Sequence, residues 1–587
     1  MNRMVKSLLP FFLFAAIFSC KGKSKPETQQ EAAPAERKWW KEAVVYQIYP
    51  RSFKDSDGDG IGDLRGIISK LDYIKSLGID AVWLNPIFES PNKDNGYDIS
   101  DYHRIMKQFG TNADFDTLVK GFHDRGIKVI LDMVLNHCSN EHSWFKEASQ
   151  SRSSPYYHYF HWWPAEKGTP PYRFSIFDEK GYGWEYNKPT NSYYLHYFGD
   201  FQPDLNWENP ALRQDVYKMM RSWCDKGVDG FRMDALAFIS KDTTWPPLPK
   251  EYNGNWTLYY ASGPHLHDYI QEMNREVLSK YDLATVAEAV GDIPRVKMFV
   301  DEDRKELNMA YNFEAIDFGY LPNEYKVPDP NGYDFVQWKK VYAKWDSAFV
   351  DQGWGTMYLA NHDQPRMLTR WGNDSPAFRG YSSKLLTTFI LSMRATPYYY
   401  YGDELGMSNI KFDRVDQYND VELLTNYEQV KAKGGDLKRF LEAMKISSRD
   451  NGRTPMQWDS TANGGFGRAK PWLPVNSNYK RVNVAAEEAD PESCLNYFRQ
   501  MTRLRKANPV LIYGTYTPVD PGNPDVFAYL RELDGKQLLV ALNFKEKSSR
   551  VNSGFDLKKA NILIHNYATA SVDGSLRPYE AVIYQIK

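Results

Sequence analysis

Short apolar runs alternate with amphipathic helical stripes along most of this chain, and this alternation restricts the fold more than any other feature. The runs that predict strands lie at residues 44–49, 80–86, 127–134, 227–236, 284–289, 309–313, 356–360 and 395–401. Between the first two runs, Leu64, Ile67, Leu71 and Ile74 recur at the three- and four-residue spacing of a helix face. Strands without a polar face are typical of a parallel sheet that helices cover.

Eight such strands predict an α/β fold of the closed (β/α)8 type, a TIM barrel. An open, doubly wound parallel sheet is the alternative. That alternative is weakened because no glycine-rich phosphate-binding loop follows the first strand.

Two segments depart from the alternation. Residues 103–205 include a long, aromatic, helix-poor stretch after the third strand, which predicts a subdomain inserted into the barrel. From residue 508 the chain carries short alternating strands, for instance at 526–530 and 538–542, which are typical of an all-β domain. We therefore predict a catalytic barrel over residues 39–507 and a C-terminal β-sandwich domain over residues 508–587.

The N-terminus has the pattern of a targeting segment. Arg3 and Lys6 precede an apolar run at residues 8–18 that is too short to span a bilayer, and Cys20 follows it. Residues 1–20 resemble a bacterial lipoprotein signal, in which Cys20 is acylated after cleavage. An ordinary signal peptide with an incidental cysteine is the alternative. Residues 21–38 lack apolar residues other than alanine and predict a flexible tether. The prediction is a lipid-anchored protein of the bacterial cell envelope, periplasmic or on the outer membrane.

Composition narrows the possible partners. The net charge is -2, so no nucleic-acid partner is expected. The 17 Trp and 41 Tyr are numerous, and aromatic rings stack on sugar faces as well as filling cores. The four cysteines show neither a metal-binding spacing nor a disulfide framework.

Polar side chains gather at the carboxyl ends of the predicted barrel strands, where barrels of this type keep their active sites. Arg232 and Asp234 are two residues apart, which places both side chains on one side of a strand. An arginine and a carboxylate buried together are costly unless they pair. The other strand ends contribute His137, Glu288, His362 and Asp363. A structural ion pair explains each group singly, but their common position favours catalysis.

These stretches resemble the signature regions of the α-amylase superfamily, glycoside hydrolase family 13. The similar segments are residues 132–137, 230–235, 287–289 and 360–363. Residues 202–206 and 453–458 resemble marks of its oligo-1,6-glucosidase and α-glucosidase branch. The likeness extends from about Trp39 to the C-terminus and is weakest in the last domain.

The resemblance implies a retaining mechanism with two carboxyl groups about 5 Å apart. It assigns Asp234 as the nucleophile and Glu288 as the acid/base, with Asp363 stabilising the transition state. Arg232 is expected to keep Asp234 ionised at neutral pH. His137 and His362 are expected to bind hydroxyl groups of the same glucose.

The resemblance also implies where the substrate ends. Tyr97 would stack on the glucose, and Asp98 would bind its 4-hydroxyl group. Arg453 would pair with Asp98 and close the pocket, which predicts an exo-acting enzyme that releases single glucose units. The alternative is that Asp98 and Arg453 are unrelated surface charges.

The segment from Asp55 to Asp63 predicts a structural Ca²⁺ site. Asp55, Asp57, Asp59 and Asp63 place carboxylates at alternate positions among glycines, as at the start of an EF-hand loop without its distal glutamate. The resemblance adds the carbonyl group of Ile61 as a ligand. An aspartate-rich turn is the alternative.

Three functions remain open from the sequence. The first is an exo-α-glucosidase acting on short malto- or isomalto-oligosaccharides. The second is a trehalose synthase or sucrose isomerase that uses the same pocket. The third is a non-catalytic module like the heavy chains of amino-acid transporters, which the intact acidic residues disfavour. Within the first, the small Ala235 after the nucleophile predicts a preference for α-1,4 over α-1,6 bonds.

Overall fold

The structure, a computed structural model, describes residues 37–252, 255–322 and 324–587. The predicted signal segment 1–20, its Cys20 and all but the last two residues of the predicted tether 21–38 lie outside these ranges. None of the helices in the described ranges combines the length and the apolar character needed to cross a lipid bilayer.

Eight parallel strands form the centre of the molecule. In chain order they are β1 Val45–Ile48, β2 Ala81–Leu84, β3 Lys128–Val134, β4 Gly230–Asp234, β5 Ala284–Ala287, β6 Met309–Ala310, β7 Thr356–Met357 and β8 Thr396–Tyr400. Their hydrogen-bonded order is β6-β5-β4-β3-β2-β1-β8-β7, and a parallel bridge between Ala310 and Gly355 joins the two ends. The sheet therefore closes into the predicted barrel, and the open doubly wound alternative is wrong.

Helices connect successive strands and cover the outer face of the barrel. Those up to β8 are Pro50–Phe53, Leu64–Ile68, Leu71–Ser76, Asn112–His123, Ser143–Ala148, Pro210–Cys224, Trp256–Tyr260, Leu266–Glu276, Ile293–Val300, Phe335–Ala348, Met367–Trp371 and Arg379–Ser392. Those after β8 are Val421–Ala432, Leu437–Ser447, Val484–Ala489, Cys494–Ala507 and Val510–Tyr513.

The connection into β4 illustrates how the sequence builds one unit. Asn209 caps the helix Pro210–Cys224 by accepting a hydrogen bond from the Ala211 N–H, and proline suits the first helical position. The helix buries Leu212, Val216 and Trp223, three residues of its predicted stripe, against the barrel. Gly227 then turns the chain with a φ of +96°, which glycine tolerates without strain, and β4 begins at Gly230.

The excursion after β3 contains a three-stranded antiparallel sheet made of Trp162–Pro164, Ser192–Leu195 and Trp184–Asn187. The range 103–205 that we predicted for the insert also contains the barrel helix Asn112–His123 and β3 itself. The departure from the alternation therefore begins after Val134 rather than at residue 103.

The C-terminal part is an antiparallel sheet, as predicted. Its strands, in spatial order, are Thr515–Val519, Val526–Leu533, Lys536–Asn543, Ala581–Gln585 and Asn561–His565. A two-stranded ribbon of Ser549–Arg550 and Ser575–Leu576 accompanies it. The second and third strands form a hairpin whose turn residues, Asp534 and Gly535, both have positive φ, as a two-residue hairpin turn requires.

Candidate active site

The central site residues lie at the carboxyl ends of neighbouring strands that are in register. Asp132 on β3 is the register partner of Arg232 on β4, and Val134 is the partner of Asp234. Glu288 follows β5 directly, next to the end of β4. The parallel register therefore brings three carboxyl groups from three strands to one arginine.

The Arg232 guanidinium group bridges these carboxylates. Its Nη1 donates to Asp132 Oδ1 and to Asp234 Oδ1, both at 2.7 Å, and its Nη2 donates to Glu288 Oε1. The Ala235 N–H donates to Glu288 Oε2 at 3.1 Å. Asp234 and Glu288 are thus held on two nitrogens of one guanidinium group, so their carboxyl groups lie close together.

Burial dominates the electrostatics of this cluster. It raises the pKa of Asp132 to about 6 and raises the pKa of Asp234 well above its usual range, although Arg232 opposes both shifts. Neighbouring carboxylates add to the increase in each case. Burial and the neighbouring carboxylates favour the protonated form of Asp234, whereas Arg232 favours its ionised form. That Arg232 keeps Asp234 ionised at neutral pH stays a prediction.

Asp363 lies in a second, more positive environment after β7. His362 Nε2 is 3.0 Å from Asp363 Oδ2, and Asp363 Oδ1 accepts hydrogen bonds from Arg449 at 2.9 Å and Arg453 at 3.2 Å. Burial favours a higher pKa for Asp363, but His362 and the two arginines outweigh it and hold this pKa well below its usual range. Burial also lowers the pKa of His362 to about 4, so the two arginines supply the positive charge at pH 7.

The predicted pairing of Arg453 with Asp98 is wrong. Arg453 donates to the His362 carbonyl group at 2.7 Å and to Asp363. Asp98 is fully buried and accepts hydrogen bonds from Ser90 Oγ at 2.9 Å and from the N–H groups of Lys93 and Asp94 at 3.0 and 3.1 Å. Groups of its own loop provide the hydrogen bonds of the Asp98 carboxylate, whereas Arg453 extends to the carboxylate of Asp363.

Tyr97 and His362 form the floor of the site. Their rings stack with centroids 5.3 Å apart and planes 11° apart, and Tyr97 Oη donates to Asp132 Oδ2 at 2.9 Å. Gln47 Nε2 lies 2.9 Å from His362 Nδ1 and donates to Asn85 Oδ1 at 2.8 Å. This buried network fixes the ring planes against which a sugar would lie.

The excursion after β3 positions His137. Gln202 Nε2 is 3.2 Å from His137 Nε2, and a backbone bridge joins His137 to Asp204. Asp204 in turn pairs with Lys241 at 3.1 Å. Burial, with Lys241 adding to it, lowers the pKa of His137 to about 3, so this histidine is neutral at pH 7.

The acidic groups of the site differ in their exposure to solvent. The side-chain exposure is 12% for Asp234, 18% for Glu288 and 32% for Asp363, while Tyr97 and Arg453 are buried. Beside Glu288 lies a larger, mainly apolar cavity of about 790 Å³ lined by Phe238, Val290, Ile293 and Phe313 among others. The acidic cluster therefore adjoins a roomier, mainly apolar cavity at Glu288.

The predicted metal loop brings three of its four aspartates together. Ligand oxygens of Asp55, Asp57 and Asp63 lie within 4.8 Å of one another. Asp59 is not in this group, and its carboxylate accepts a hydrogen bond from the Ile61 N–H at 2.7 Å. Gly60 has a φ of +94°, and a Cβ there would lie 2.3 Å from the Lys470 carbonyl oxygen, so the loop needs glycine. Carboxylate oxygens at this spacing suit Ca²⁺.

Two residues of the site were not identified from the sequence as site residues. Asp132 could have been identified from the sequence, since it lies in the same strand-end segment as His137. Arg449 gives no comparable signal, because it lies after β8 on a chain segment that returns from the helix Leu437–Ser447.

The chain was compared with known proteins. A family model described as "Alpha amylase, catalytic domain" matches residues 47–514. The oligo-1,6-glucosidases of Parageobacillus thermoglucosidasius and Bacillus cereus are 46% and 44% identical to this chain over 564 and 561 residues, in each case 94% of this chain and 100% of the relative. The crystal structure of isomaltulose synthase from Klebsiella sp. LX3 superposes with a TM-score of 0.90 at 42% identity, covering 94% of this chain and 100% of that one.

Proposed function

The chain belongs to the α-amylase family of glycoside hydrolases, and on that basis we propose that it is a retaining, exo-acting α-glucosidase. The observation that carries the proposal is the bridging of Asp234 and Glu288 by Arg232. Retaining glycosidases hold their two carboxyl groups about 5–5.5 Å apart, whereas inverting enzymes need about 6.5–9.5 Å to admit a water molecule. Two carboxylates on one guanidinium group fit the shorter spacing.

In the proposed reaction, Asp234 attacks the anomeric carbon of a terminal α-linked glucose while Glu288 donates its proton to the leaving glycosidic oxygen. The C–O bond to the leaving sugar breaks, and a glucosyl–aspartate ester forms. A water molecule then gives its proton to Glu288 and its oxygen to the anomeric carbon, which releases glucose and restores both carboxyl groups. Neutral His137 and His362 would hydrogen-bond sugar hydroxyls, and the low pKa of Asp363 keeps a negative charge beside the cationic transition state.

The exo mode is supported by the burial of the residues at one end of the site. Asp98 and Tyr97 lie at its buried end, and Arg453 and Arg449 close the side at Asp363. A pocket with one mouth binds a chain end and excludes the middle of a long glucan. We infer short malto- or isomalto-oligosaccharides as substrates, in line with the names of the two glucosidase relatives.

The test combines product analysis with a substitution of the nucleophile. On maltose and isomaltose, nuclear magnetic resonance should show α-glucose as the first product, because two inversions retain the configuration. Asp234→Asn should fold normally and lose several orders of magnitude in kcat, since an amide does not attack the sugar. β-Glucose as the first product, or near-normal turnover by a folded Asp234→Asn variant, would contradict the mechanism.

Transfer of the glucosyl group to a second sugar is the alternative function. Its support is the similarity to isomaltulose synthase together with the large apolar cavity beside Glu288, which could retain a released sugar. Sucrose as the substrate separates the two functions, since hydrolysis yields glucose and fructose, whereas transfer yields an isomeric disaccharide.

We also propose that Asp55, Asp57 and Asp63 bind one structural Ca²⁺. The spacing of their oxygens and the burial of Asp55 and Asp63 support this role. The bound ion would offset the repulsion between these carboxylates and hold the loop against the segment around Gly467.

Finally, we propose from the sequence that Cys20 carries a lipid anchor and that the protein belongs to the bacterial cell envelope. The short apolar run before Cys20 and the tether after it support this proposal. Cys20→Ser should move the protein from the membrane fraction to the soluble fraction or leave it unprocessed. A wild-type protein that already fractionates as soluble would contradict the anchor.

A further inference from the structure

A second cavity lies between the excursion after β3 and the segment that follows β4. It has a volume of about 280 Å³. Arg173, Tyr197, Asp242, Tyr260 and Ser262 are among the residues that line it. None of its lining residues belongs to the catalytic pocket described above.

Arg173 stands out among the buried arginines of the described ranges. It is 1% exposed, and its guanidinium group donates to the Tyr172 carbonyl group at 2.7 Å and interacts with the side chains of Tyr197 and Tyr260. No carboxylate of the described residues lies within 4 Å of it. Arg232 and Arg453, equally buried, pair with carboxylates, and Arg505 donates to four carbonyl groups. A buried cation without a counter-ion is costly, and the rings of Tyr260 at 4.8 Å and Trp245 at 5.3 Å offset only part of that cost.

Two hydroxyl groups that line the same cavity lack a hydrogen-bond partner among the described residues. Tyr260, which is 7% exposed, and Ser262 have buried hydroxyl oxygens without a hydrogen-bond partner among the described residues. Ser262 also has a φ of +58°, a left-handed conformation that is unfavourable for serine. Buried polar groups are normally satisfied, so several donors without partners around one cavity indicate a missing acceptor.

The charged residues around the cavity do not neutralise the positive charge of Arg173. Asp242 is exposed, and its carboxylate accepts hydrogen bonds from the Thr244 N–H at 2.9 Å and Thr244 Oγ1 at 2.6 Å. Lys241, which lies beside Tyr197, is paired with Asp204. Solvent screens Asp242, whereas the buried charge of Arg173 is screened much less.

We propose that this cavity is a second ligand site that takes a small oxyanion, with phosphate, either free or carried on a sugar, as the chemical class. The guanidinium group would bind two oxygens of the anion, and the Tyr260 and Ser262 hydroxyls would donate to the others. The volume lies just below the roughly 300–1,000 Å³ of typical ligand pockets. The rings of Tyr197 and Tyr260 could accommodate a sugar attached to the phosphate.

Calorimetric titration of the full chain at constant ionic strength tests the proposal, with inorganic phosphate and glucose 6-phosphate as separate probes. Wild type should bind phosphate, and the anion should raise Tm by mass action. Arg173→Met should weaken binding about tenfold or more, since it removes a charge-assisted hydrogen bond. Tyr260→Phe, which keeps the ring, should weaken binding several-fold. Tighter binding of glucose 6-phosphate than of phosphate would identify the sugar-borne form, and equal affinity the free ion.

Tyr342→Phe is the matched control, because Tyr342 also has a buried hydroxyl group without a partner but lies in another part of the barrel. It should leave phosphate binding unchanged. If Arg173→Met does not fold, Tyr260→Phe and Ser262→Ala carry the test. Absence of binding by both probes would overturn the proposal. Binding that survives all three substitutions would place the anion in the catalytic pocket and overturn it equally.

Discussion

At the scale of single residues, Arg232 organises the site. Its guanidinium group holds Asp132, Asp234 and Glu288, and its burial makes those contacts difficult to replace. Lysine could not substitute for it, because an ammonium group is a point charge without two parallel nitrogens. The spacing of Asp234 and Glu288, the proposed catalytic pair, therefore depends on the planar geometry of one side chain.

Ala235, directly after Asp234, connects this geometry with the choice of bond. Its φ is +47°, a left-handed conformation, its side chain is 7% exposed, and its N–H contacts Glu288. A β-branched side chain here would crowd the next sugar. An α-1,6 bond has an extra carbon and torsion with which its sugar can avoid the crowding, whereas an α-1,4-linked sugar needs the space.

We therefore expect wild type to prefer maltose over isomaltose and Ala235→Val to reduce or reverse that preference. One or two methyl groups typically discriminate by about 10- to 200-fold. The measurement is kcat/KM on both disaccharides. Ala235→Gly is the control, because it relieves the left-handed strain without adding bulk and should keep the preference for maltose. A wild-type preference for isomaltose that valine does not change would mean that other loops determine the linkage, in agreement with the names of the relatives.

Asp94 should make the stability of the protein depend on pH. Burial raises its pKa from 3.8 to about 7, and Gln202 donates to it at 3.0 Å. Between these two values the folded state binds a proton that the unfolded state has lost, so the contribution of Asp94 to stability falls as pH rises from about 4 to about 7. The asparagine of Asp94→Asn does not titrate. The Tm of this variant minus the Tm of wild type should therefore rise with pH across this interval and stay constant above it.

At pH 7 the free energy of unfolding of Asp94→Asn should exceed that of wild type by up to about 4 kcal/mol, which corresponds to a pKa change of roughly three units. Thermal unfolding of both proteins from pH 4 to pH 8 measures it. Asp116→Asn on the surface, where the carboxylate is 52% exposed, should change stability by less than about 1 kcal/mol throughout. A pH-independent difference between Asp94→Asn and wild type would show that Asp94 is ionised in the fold.

The sequence predicts positions at this scale better than it predicts pairings. Arg232 and Asp234 could be predicted because a strand fixes the direction of alternate side chains and both residues are in one strand. The partner of Arg453 could not be predicted, because Arg453 and Asp98 lie on separate loops. How close these loops come depends on the packing of the whole barrel. The raised pKa of Asp234 could not be predicted for a related reason, since Asp132 and Glu288 come from two other strands.

At the scale of elements, apolar runs predicted all eight barrel strands, because strands buried on both faces leave an unambiguous pattern. The limits of the excursion after β3 were harder to predict. Its strands are short, and aromatic residues such as Trp162 and Tyr194 lack the periodicity that marks a helix. The barrel helix Asn112–His123 was consequently included in the insert, although its own stripe of Phe115, Leu118 and Phe122 is regular.

The loop from Asp55 to Asp63 provides a prediction at this scale. If Asp55, Asp57 and Asp63 bind Ca²⁺, chelation should lower Tm without first abolishing activity, because the ion binds only the folded state. Elemental analysis should find about one Ca²⁺ per chain.

The substitutions in this loop discriminate between the ligand sets. Asp57→Asn should weaken the response of Tm to Ca²⁺, whereas Asp59→Asn should alter it less, because only Asp57 is in the cluster. Asp63 is unsuitable for this test, since it also caps the helix Leu64–Ile68 by accepting from the Gly66 N–H. Unchanged Tm on chelation, together with metal-free protein, would exclude the site.

At the scale of the whole molecule, the buried Arg531 joins the barrel to the C-terminal sheet, and the buried Arg505 lies beside it. Arg531, on the strand Val526–Leu533, donates to the carbonyl groups of Ser392, Leu511 at 2.9 Å and Gly514 at 2.8 Å. Arg505 donates to those of Leu391, Met393 and Ala395 at 3.0, 3.1 and 2.7 Å, and also to Leu511. Several of these carbonyl groups end the helix Arg379–Ser392 that leads into β8, where the negative end of the helix dipole attracts a cation.

Arg531→Met should therefore destabilise the whole chain rather than the C-terminal sheet alone. It removes the donors of three or more buried carbonyl groups, and each unsatisfied group costs about 1–3 kcal/mol, so a loss of several kcal/mol is expected. Wild type should unfold in one transition, and the variant in one transition at a lower temperature, with kcat on maltose unchanged below it because no contact of Arg531 reaches the catalytic pocket. Calorimetry measures the transitions, and enzyme assays measure kcat.

The control is Arg503→Met, which replaces an exposed arginine on the helix Cys494–Ala507 and should change Tm little. If Arg531→Met instead unfolds in two steps, with the barrel keeping the wild-type Tm, then the carbonyl groups at the end of Arg379–Ser392 do not need this cation, and the C-terminal sheet does not stabilise the barrel.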